Sequence, residues 1–252
     1  MPRYDFRSPR VYVDAPLGAG TTLALDATQA NYLGNVLRLR DGDKVLVFNG
    51  SDGEWQGRLV RAGRRRAALA LDNRTRAQTA ALDLHYLFAP LKHARLDYMV
   101  QKAVEMGASR LQPVITRHTQ PARVNLDRVR ANAIEAAEQC GILTLPQIGA
   151  LLGFEAMIAA RDTARLLVFC DEDAEVKDPV AALAAADGPR SGPAVPLAVL
   201  IGPEGGFAAD ERSVLLAQPN VVRLALGPRI LRADTAAVAA LALVGAVLGD
   251  WR

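Results

Sequence analysis

Hydrophobic positions change their period near residue 80, and the change separates two kinds of structure. Before it, short β-branched and aromatic runs predict strands at Val11–Val13, Lys44–Phe48, Trp55–Val60 and Ala67–Leu71. The cluster Asn49-Gly50-Ser51-Asp52-Gly53 predicts the turn between the second and third of these, and Gly63-Arg64-Arg65-Arg66 the turn before the fourth. Strands this short and closely spaced suit a small barrel. One helix interrupts them, with Ala30, Leu33, Val36 and Leu37 at helical spacing behind a cap at Thr28.

From Leu82 onward strands alternate with helices, the pattern of a largely parallel sheet with helices packed on it. Strands are predicted at Leu82–Phe88, Leu111–Ile115, Leu166–Phe169, Leu197–Ile201 and Val221–Leu226. Between the first two, Leu96, Met99, Val100, Ala103 and Val104 form one apolar stripe that ends at Gly107, a residue suited to a left-handed cap. Asn125 can cap a helix carrying Leu126, Val129, Ala133 and Ile134, which Gly141 and Pro146 stop. An Ala-rich helix and the Gly/Pro segment 188–193 precede the fourth strand, and the all-apolar helix after Thr235 is expected to be buried on most sides. The polar, aperiodic stretch from Asn73 to Ala80 is the expected boundary, dividing residues 1–76 from 80–252 in an α/β protein.

Composition adds little until it is divided the same way. The 252 residues are half hydrophobic and 23% charged, which excludes disorder, and carry a formal net charge of +3. Residues 1–76 hold 13 basic and 8 acidic side chains, a net +5, which leaves −2 for the rest. An excess on the smaller part is expected where that part binds a polyanion. Arg64, Arg65 and Arg66, with Arg3, Arg7 and Arg10, are the candidate phosphate contacts. Two cysteines, Cys140 and Cys170, make no disulfide scaffold and lack Cys-x-x-Cys spacing; His85, His93 and His118 lack metal-ligand spacing, so no metal is expected. No signal peptide is visible, and the longest apolar stretch, residues 235–249, is short for a membrane span, so a soluble cytoplasmic protein is expected.

Two loops carry candidate chemistry. Ile201-Gly202-Pro203-Glu204-Gly205-Gly206-Phe207 follows one strand and Leu226-Gly227-Pro228-Arg229-Ile230-Leu231-Arg232-Ala233-Asp234-Thr235-Ala236 the next, each leading into a helix. Glycines at the carboxyl end of a parallel strand let the backbone approach a ligand. Asp234 or Thr235 can cap the last helix, and two arginines in a loop that only turned would be unusual. Neither loop is a P-loop, a dinucleotide fingerprint or a nucleophile elbow.

These two segments resemble the two cofactor loops of the bacterial ribosomal RNA small-subunit methyltransferase E family. Tyr32-Leu33-Gly34-Asn35-Val36-Leu37-Arg38-Leu39-Arg40, Gln101-Lys102-Ala103-Val104-Glu105-Met106-Gly107 and Glu135-Ala136-Ala137-Glu138-Gln139-Cys140 agree as well, collinear over nearly the whole chain. Departures are Arg232-Ala233-Asp234-Thr235 where the family usually reads Arg-Thr-Glu-Thr, and Cys140 where it usually has Ser. The resemblance implies an N-terminal PUA-like RNA-binding barrel and a C-terminal SPOUT α/β domain ending in a trefoil knot. It also implies a homodimer, S-adenosylmethionine as methyl donor, and N3 of one uridine in 16S rRNA of the small ribosomal subunit as acceptor.

On that reading the donor contacts Leu200, Ile201, Gly202, Pro203, Gly205, Gly206, Leu226, Gly227, Ile230, Leu231, Thr235 and Ala236. Uracil N3 must lose its proton, which Glu204 could accept, or Arg229 or Arg232 could stabilise the anion instead; the residue types leave this open. A non-catalytic RNA-binding assembly factor is the alternative, and it predicts no donor binding.

Overall fold

The computed structural model describes residues 5, 7–61, 66–92, 94–120, 123–175, 178–186 and 196–251. Arg3, Arg64, Arg65 and His93, the turn glycine Gly63 and the segment 188–193 lie outside the described residues. The chain divides into two units: residues 1–80 with 137–145, and residues 81–136 with 146–252.

The first unit is built on β1 (Arg10–Tyr12), β2 (Thr22–Ala24), α1 (Ala27–Asn31), β3 (Lys44–Phe48), β4 (Glu54–Arg61) and β5 (Ala67–Arg76). The sheet order is β1-β3-β4-β5-β2, with only the β1–β3 pair parallel. Alternate residues Val45, Val47, Leu59, Leu69 and Leu71 turn inward onto Val11, Leu23 and Leu33 and form its apolar core. The expected Thr28 cap is corrected: Asp26 caps α1, its side chain accepting from the Gln29 amide, while Gln29 Oε1 accepts from the Asp26 amide. A π-helical turn, Tyr32–Val36, then seats Leu33 in the core. β5 runs past Leu71 to Arg76, because its polar residues pair with Glu54–Gln56 across a bulge; the polar boundary stretch therefore begins as strand.

A buried ion network organises this unit. Glu54, 2% exposed, accepts from Arg10 Nε at 2.8 Å, from Arg76 Nε at 3.1 Å and from the Thr75 hydroxyl at 2.9 Å. Arg10 donates its remaining nitrogens to the Glu138 and Asp5 carbonyls, and Arg76 donates to the Gly141 carbonyl. Arg10 is thus corrected as a phosphate contact: it is buried, and each of its guanidinium nitrogens is bonded inside the unit. Arg7 and Arg66 are exposed.

The second unit contains β6 (Leu84–Phe88), α2 (Ala94–Glu105), β7 (Arg110–Ile115), α3 (Leu126–Cys140, its last turn in the first unit), β8 (Gln147–Ile148), β9 (Leu152–Gly153), α4 (Phe154–Ala159), β10 (Leu166–Cys170), α5 (Pro179–Ala186), β11 (Leu197–Ile201), α6 (Ala209–Leu216), β12 (Val221–Leu224) and α7 (Ala233–Val247). The sheet runs β12-β10-β11-β6-β7-β8, with β9 beside β7, and every pairing is parallel. Its central strands read as continuous apolar runs because both faces are covered. One face, with Leu167, Phe169, Ala198 and Leu200, packs on Met157 of α4 and Leu215 of α6. α7 packs against β11 with α2 and α5 beside it. Asn125 accepts the Arg128 amide at the start of α3, and Gly107 takes φ +87° after α2, as the pattern predicts.

The last helix departs from expectation. Ala233, Ala237, Ala240, Leu241, Val244 and Gly245 are buried, but Val238, Leu243 and Val247 are only half-buried, so α7 covers one side. Among the described residues no helix is long and apolar enough to cross a membrane.

Removing one member of a buried ion network strands the others. Glu54→Ala is expected to cost about 3–5 kcal/mol in denaturant unfolding, the range for an uncompensated buried charge. A loss below about 1 kcal/mol, as for a surface pair, would show that the network is not what holds this unit.

Candidate active site

Parallel pairing in register ends β10, β11 and β12 in one row, with Cys170 opposite Ile201 and Leu224. The segments leaving three adjacent strands therefore emerge at one edge, where open parallel sheets bind ligands. They enclose a cavity of about 420 Å³. Its walls are Cys170–Glu172 after β10, Ile201–Gly206 after β11, Leu224–Leu231 after β12, and Ala233 and Ala236 in the first turn of α7.

Both glycine loops meet here, so Ile201, Gly202, Pro203, Gly205, Gly206, Leu226, Gly227, Ile230, Leu231 and Ala236 come together as expected. Leu200 does not line the cavity: strand alternation turns its side chain to the opposite face, into the cluster with Phe207 and Leu215. Thr235 is exposed and does not line the cavity, and its amide donates to Asp234 Oδ1. Neither residue caps the helix; Arg232 occupies the N-cap with an extended backbone and no side-chain cap bond. Of the catalytic candidates, Glu204 and Arg229 line the cavity, while Arg232 is exposed outside it. Glu204 faces Arg95 Nη1 at 3.5 Å, with both side chains about two-fifths exposed, so the pair is a weak surface contact.

The loop after β11 is set by close approach. A Cβ on Gly202 would lie 2.6 Å from the Phe207 ring, which is buried edge-on against Phe169 at 5.0 Å. Gly206 has φ +67°, and a Cβ there would collide with the Glu172 carboxylate. His118, just past β7, holds the same loop from the other side, its Nδ1 3.0 Å from the Gly205 carbonyl and 3.2 Å from that of Gly206. Two carbonyl partners require that nitrogen to carry the hydrogen. Beside it the Arg117 amide donates to Glu211, whose other oxygen accepts from Ala208 at the start of α6.

The floor of the cavity is an acid–arginine lattice that sequence reasoning missed. Asp171, its side chain fully buried, accepts from Arg212 Nε at 3.1 Å and from Arg223 Nε at 2.8 Å. Arg212 also pairs with Glu172 at 2.6 Å and Asp173 at 2.9 Å. The three carboxylates lie close enough to hold a cation, and the Arg212 guanidinium supplies that positive charge. The only available signal was an Asp-Glu-Asp run at the carboxyl end of an apolar strand. Cys170 is a neutral thiol here: burial first, and then the Asp171 charge, push its pKa up to about 12.

Comparison with known proteins bears on this geometry. An RNA methyltransferase domain family matches residues 78–245, and an RNA methyltransferase PUA domain matches residues 25–72. Ribosomal RNA small subunit methyltransferase E of Synechocystis is 31% identical over 232 residues, covering 90% of this chain and 74% of that protein. The Rickettsia conorii protein of the same name is 28% identical over 236 residues, covering 93% and 94%. The crystal structure of the Neisseria gonorrhoeae enzyme bound to S-adenosyl methionine superposes with a TM-score of 0.84 at 26% identity, covering 98% of this chain and all of that one. With the family matched across both units, and a relative 31% identical over most of both chains, the chain belongs to the ribosomal RNA small subunit methyltransferase E family of RNA methyltransferases.

Proposed function

We propose that this protein transfers a methyl group from S-adenosylmethionine to N3 of a uridine in 16S rRNA of the small ribosomal subunit, in the bacterial cytoplasm. Residues 1–76 serve as the PUA-like RNA-binding domain and 80–252 as a SPOUT methyltransferase domain whose chain end forms a trefoil knot. The carrying observation is the strand-edge cavity in which both glycine loops meet.

The residues present suit that donor. A cavity of about 420 Å³ falls in the usual range for small-molecule sites, roughly 300–1,000 Å³. Ile201, Leu224, Leu226 and Leu231 offer apolar walls for adenine, and the loop backbones offer amides and carbonyls to its edge. The Glu172 carboxylate can accept from ribose hydroxyls. Gly206 keeps the space that a side chain would fill. When bound, the donor supplies an electrophilic methyl group on a sulfonium.

The chain's own residues then align the acceptor and manage one proton. Glu204, half-exposed at the cavity and only loosely paired, takes the proton from uracil N3. Arg229, also on the cavity wall, places a guanidinium where negative charge gathers on the uracil carbonyl oxygens. Arg232, the exposed N-cap residue of α7, steers the RNA rather than the reacting base. Arg7 and Arg66 are the exposed barrel residues assigned to phosphate. A homodimer is favoured by the half-buried Val238, Leu243 and Val247 of α7 and by Tyr98, 45% exposed on the neighbouring α2. A second copy would cover them.

Two results are expected. Gly206→Ala, strained by about 1–3 kcal/mol, should weaken S-adenosylmethionine binding about 5–150-fold by calorimetry, with an unchanged circular dichroism spectrum; full affinity in the folded variant would place the donor elsewhere. With methyl-labelled donor and small subunits, mass spectrometry should locate the label on uracil N3. In the same assay Arg229→Ala should lower the single-turnover rate about 100- to 1,000-fold at unchanged donor affinity. RNA binding without donor binding would instead identify an assembly factor.

A further inference from the structure

A second cavity, of about 270 Å³, lies in the same unit toward the amino-terminal ends of β6, β7, β10 and β11, and shares no lining residue with the first. Four basic side chains converge on it: His85 from β6, Arg110 from β7, and Arg161 and Arg165 from the segment between α4 and β10. We infer that this cavity is a second ligand site of the protein and that it takes a phosphate group.

Two buried donors at this cavity, Arg161 Nη1 and Arg165 Nε, have no hydrogen-bond partner among the described residues. Each guanidinium is tethered through one other nitrogen. Arg161 Nη2 donates to the Arg165 and Asn220 carbonyls at 3.0 and 2.9 Å. Arg165 Nη1 donates to Asp83 Oδ1 at 2.8 Å and to the Leu197 carbonyl at 3.0 Å. Buried polar groups of native proteins are almost always satisfied, and a charged donor left unmet is the costliest exception. No described residue supplies the missing acceptor, and a bound anion would.

Its charge and shape follow from the surroundings. Among the described residues the acids acting on the site are Asp83, already engaged by Arg165, and Asp162. The three guanidinium groups exceed these two carboxylates by one positive charge, and the imidazole adds a further hydrogen-bonding group. Arg110 is oriented by Gln112, whose amide is anchored on the Ala150 carbonyl, so this donor is also held in place. Donors fixed on three separate segments suit a tetrahedral anion, and the guanidinium fork matches phosphate oxygens. Leu87, Met157 and Leu167 make part of the wall apolar, leaving room for a small planar body beside the anion. Burial, and then the Arg165 charge, hold His85 below the ordinary imidazole range, and burial lowers Arg161, as in a site whose positive charge lacks its counterion. The phosphate is that of a free nucleotide or of the RNA chain itself.

Calorimetry on the full chain with inorganic phosphate and with uridine monophosphate, at constant ionic strength, separates these sources. Arg161→Gln removes an unmet donor, and Arg110→Gln leaves the Arg161 and Arg165 tethers untouched should the first variant fold poorly. Saturable binding of either probe, weakened about tenfold or more in the folded variants while S-adenosylmethionine affinity holds, supports a free-nucleotide site. If neither probe binds but both variants lose RNA affinity, with a salt slope shallower by roughly 0.7–0.9, the phosphate is the RNA's. Undiminished probe binding in both folded variants, or no probe binding together with unchanged RNA affinity, would overturn the inference.

Discussion

A single carboxylate with no solvent exposure, that of Asp171, ties together the parts on which the candidate active site depends. It sits at the end of β10, receives one arginine from α6 and another from β12, and its amide donates to the Leu224 carbonyl. A charge placed there must be paired, because desolvation penalises every alternative. Meeting that constraint fixes the end of β12 and the start of the loop that follows. Through Arg212 it also sets Glu172, against which Gly206 leaves no room for a side chain. The cavity is therefore shaped by electrostatic necessity on its floor and by glycine on its wall.

The first unit uses the same device at a different place. Glu54 gathers Arg10 and Arg76, and those two arginines reach on to the carbonyls of Glu138 and Gly141. That explains why a segment far along the chain groups with the N-terminal strands. It also separates two populations of basic residues that composition treats alike: buried arginines that hold the unit together and exposed ones available to a polyanion.

These differences mark what the sequence could reveal. The alternation after Leu82 is legible because parallel strands buried on both faces leave long apolar runs, and the two glycine loops because backbone approach demands glycine at fixed places. Local caps were partly legible: Asn125 was, whereas Asp26 takes the place expected for Thr28 through its reciprocal bonds with Gln29. The lattice was not, since the partners of Asp171 lie 41 and 52 residues away and no local pattern links them. The same holds for Arg10, whose partner Glu54 is 44 residues distant, and for His118, which reads as an ordinary surface histidine until β7 delivers it beneath Gly205. α7 is capped at Arg232, two residues before the nearer of the two expected caps, and neither Arg232 nor Thr235 lines the cavity.

The proposed donor site lies at the carboxyl edge of the sheet, between the two glycine loops. Hydrogen exchange of the full chain, measured with and without saturating S-adenosylmethionine, tests this most directly. The account predicts slowed exchange in peptides covering 201–208 and 224–236, together with 170–173, and little change at 84–88 or 110–113, near the second cavity. Protection absent from the two glycine loops, or concentrated in the first unit, would contradict it.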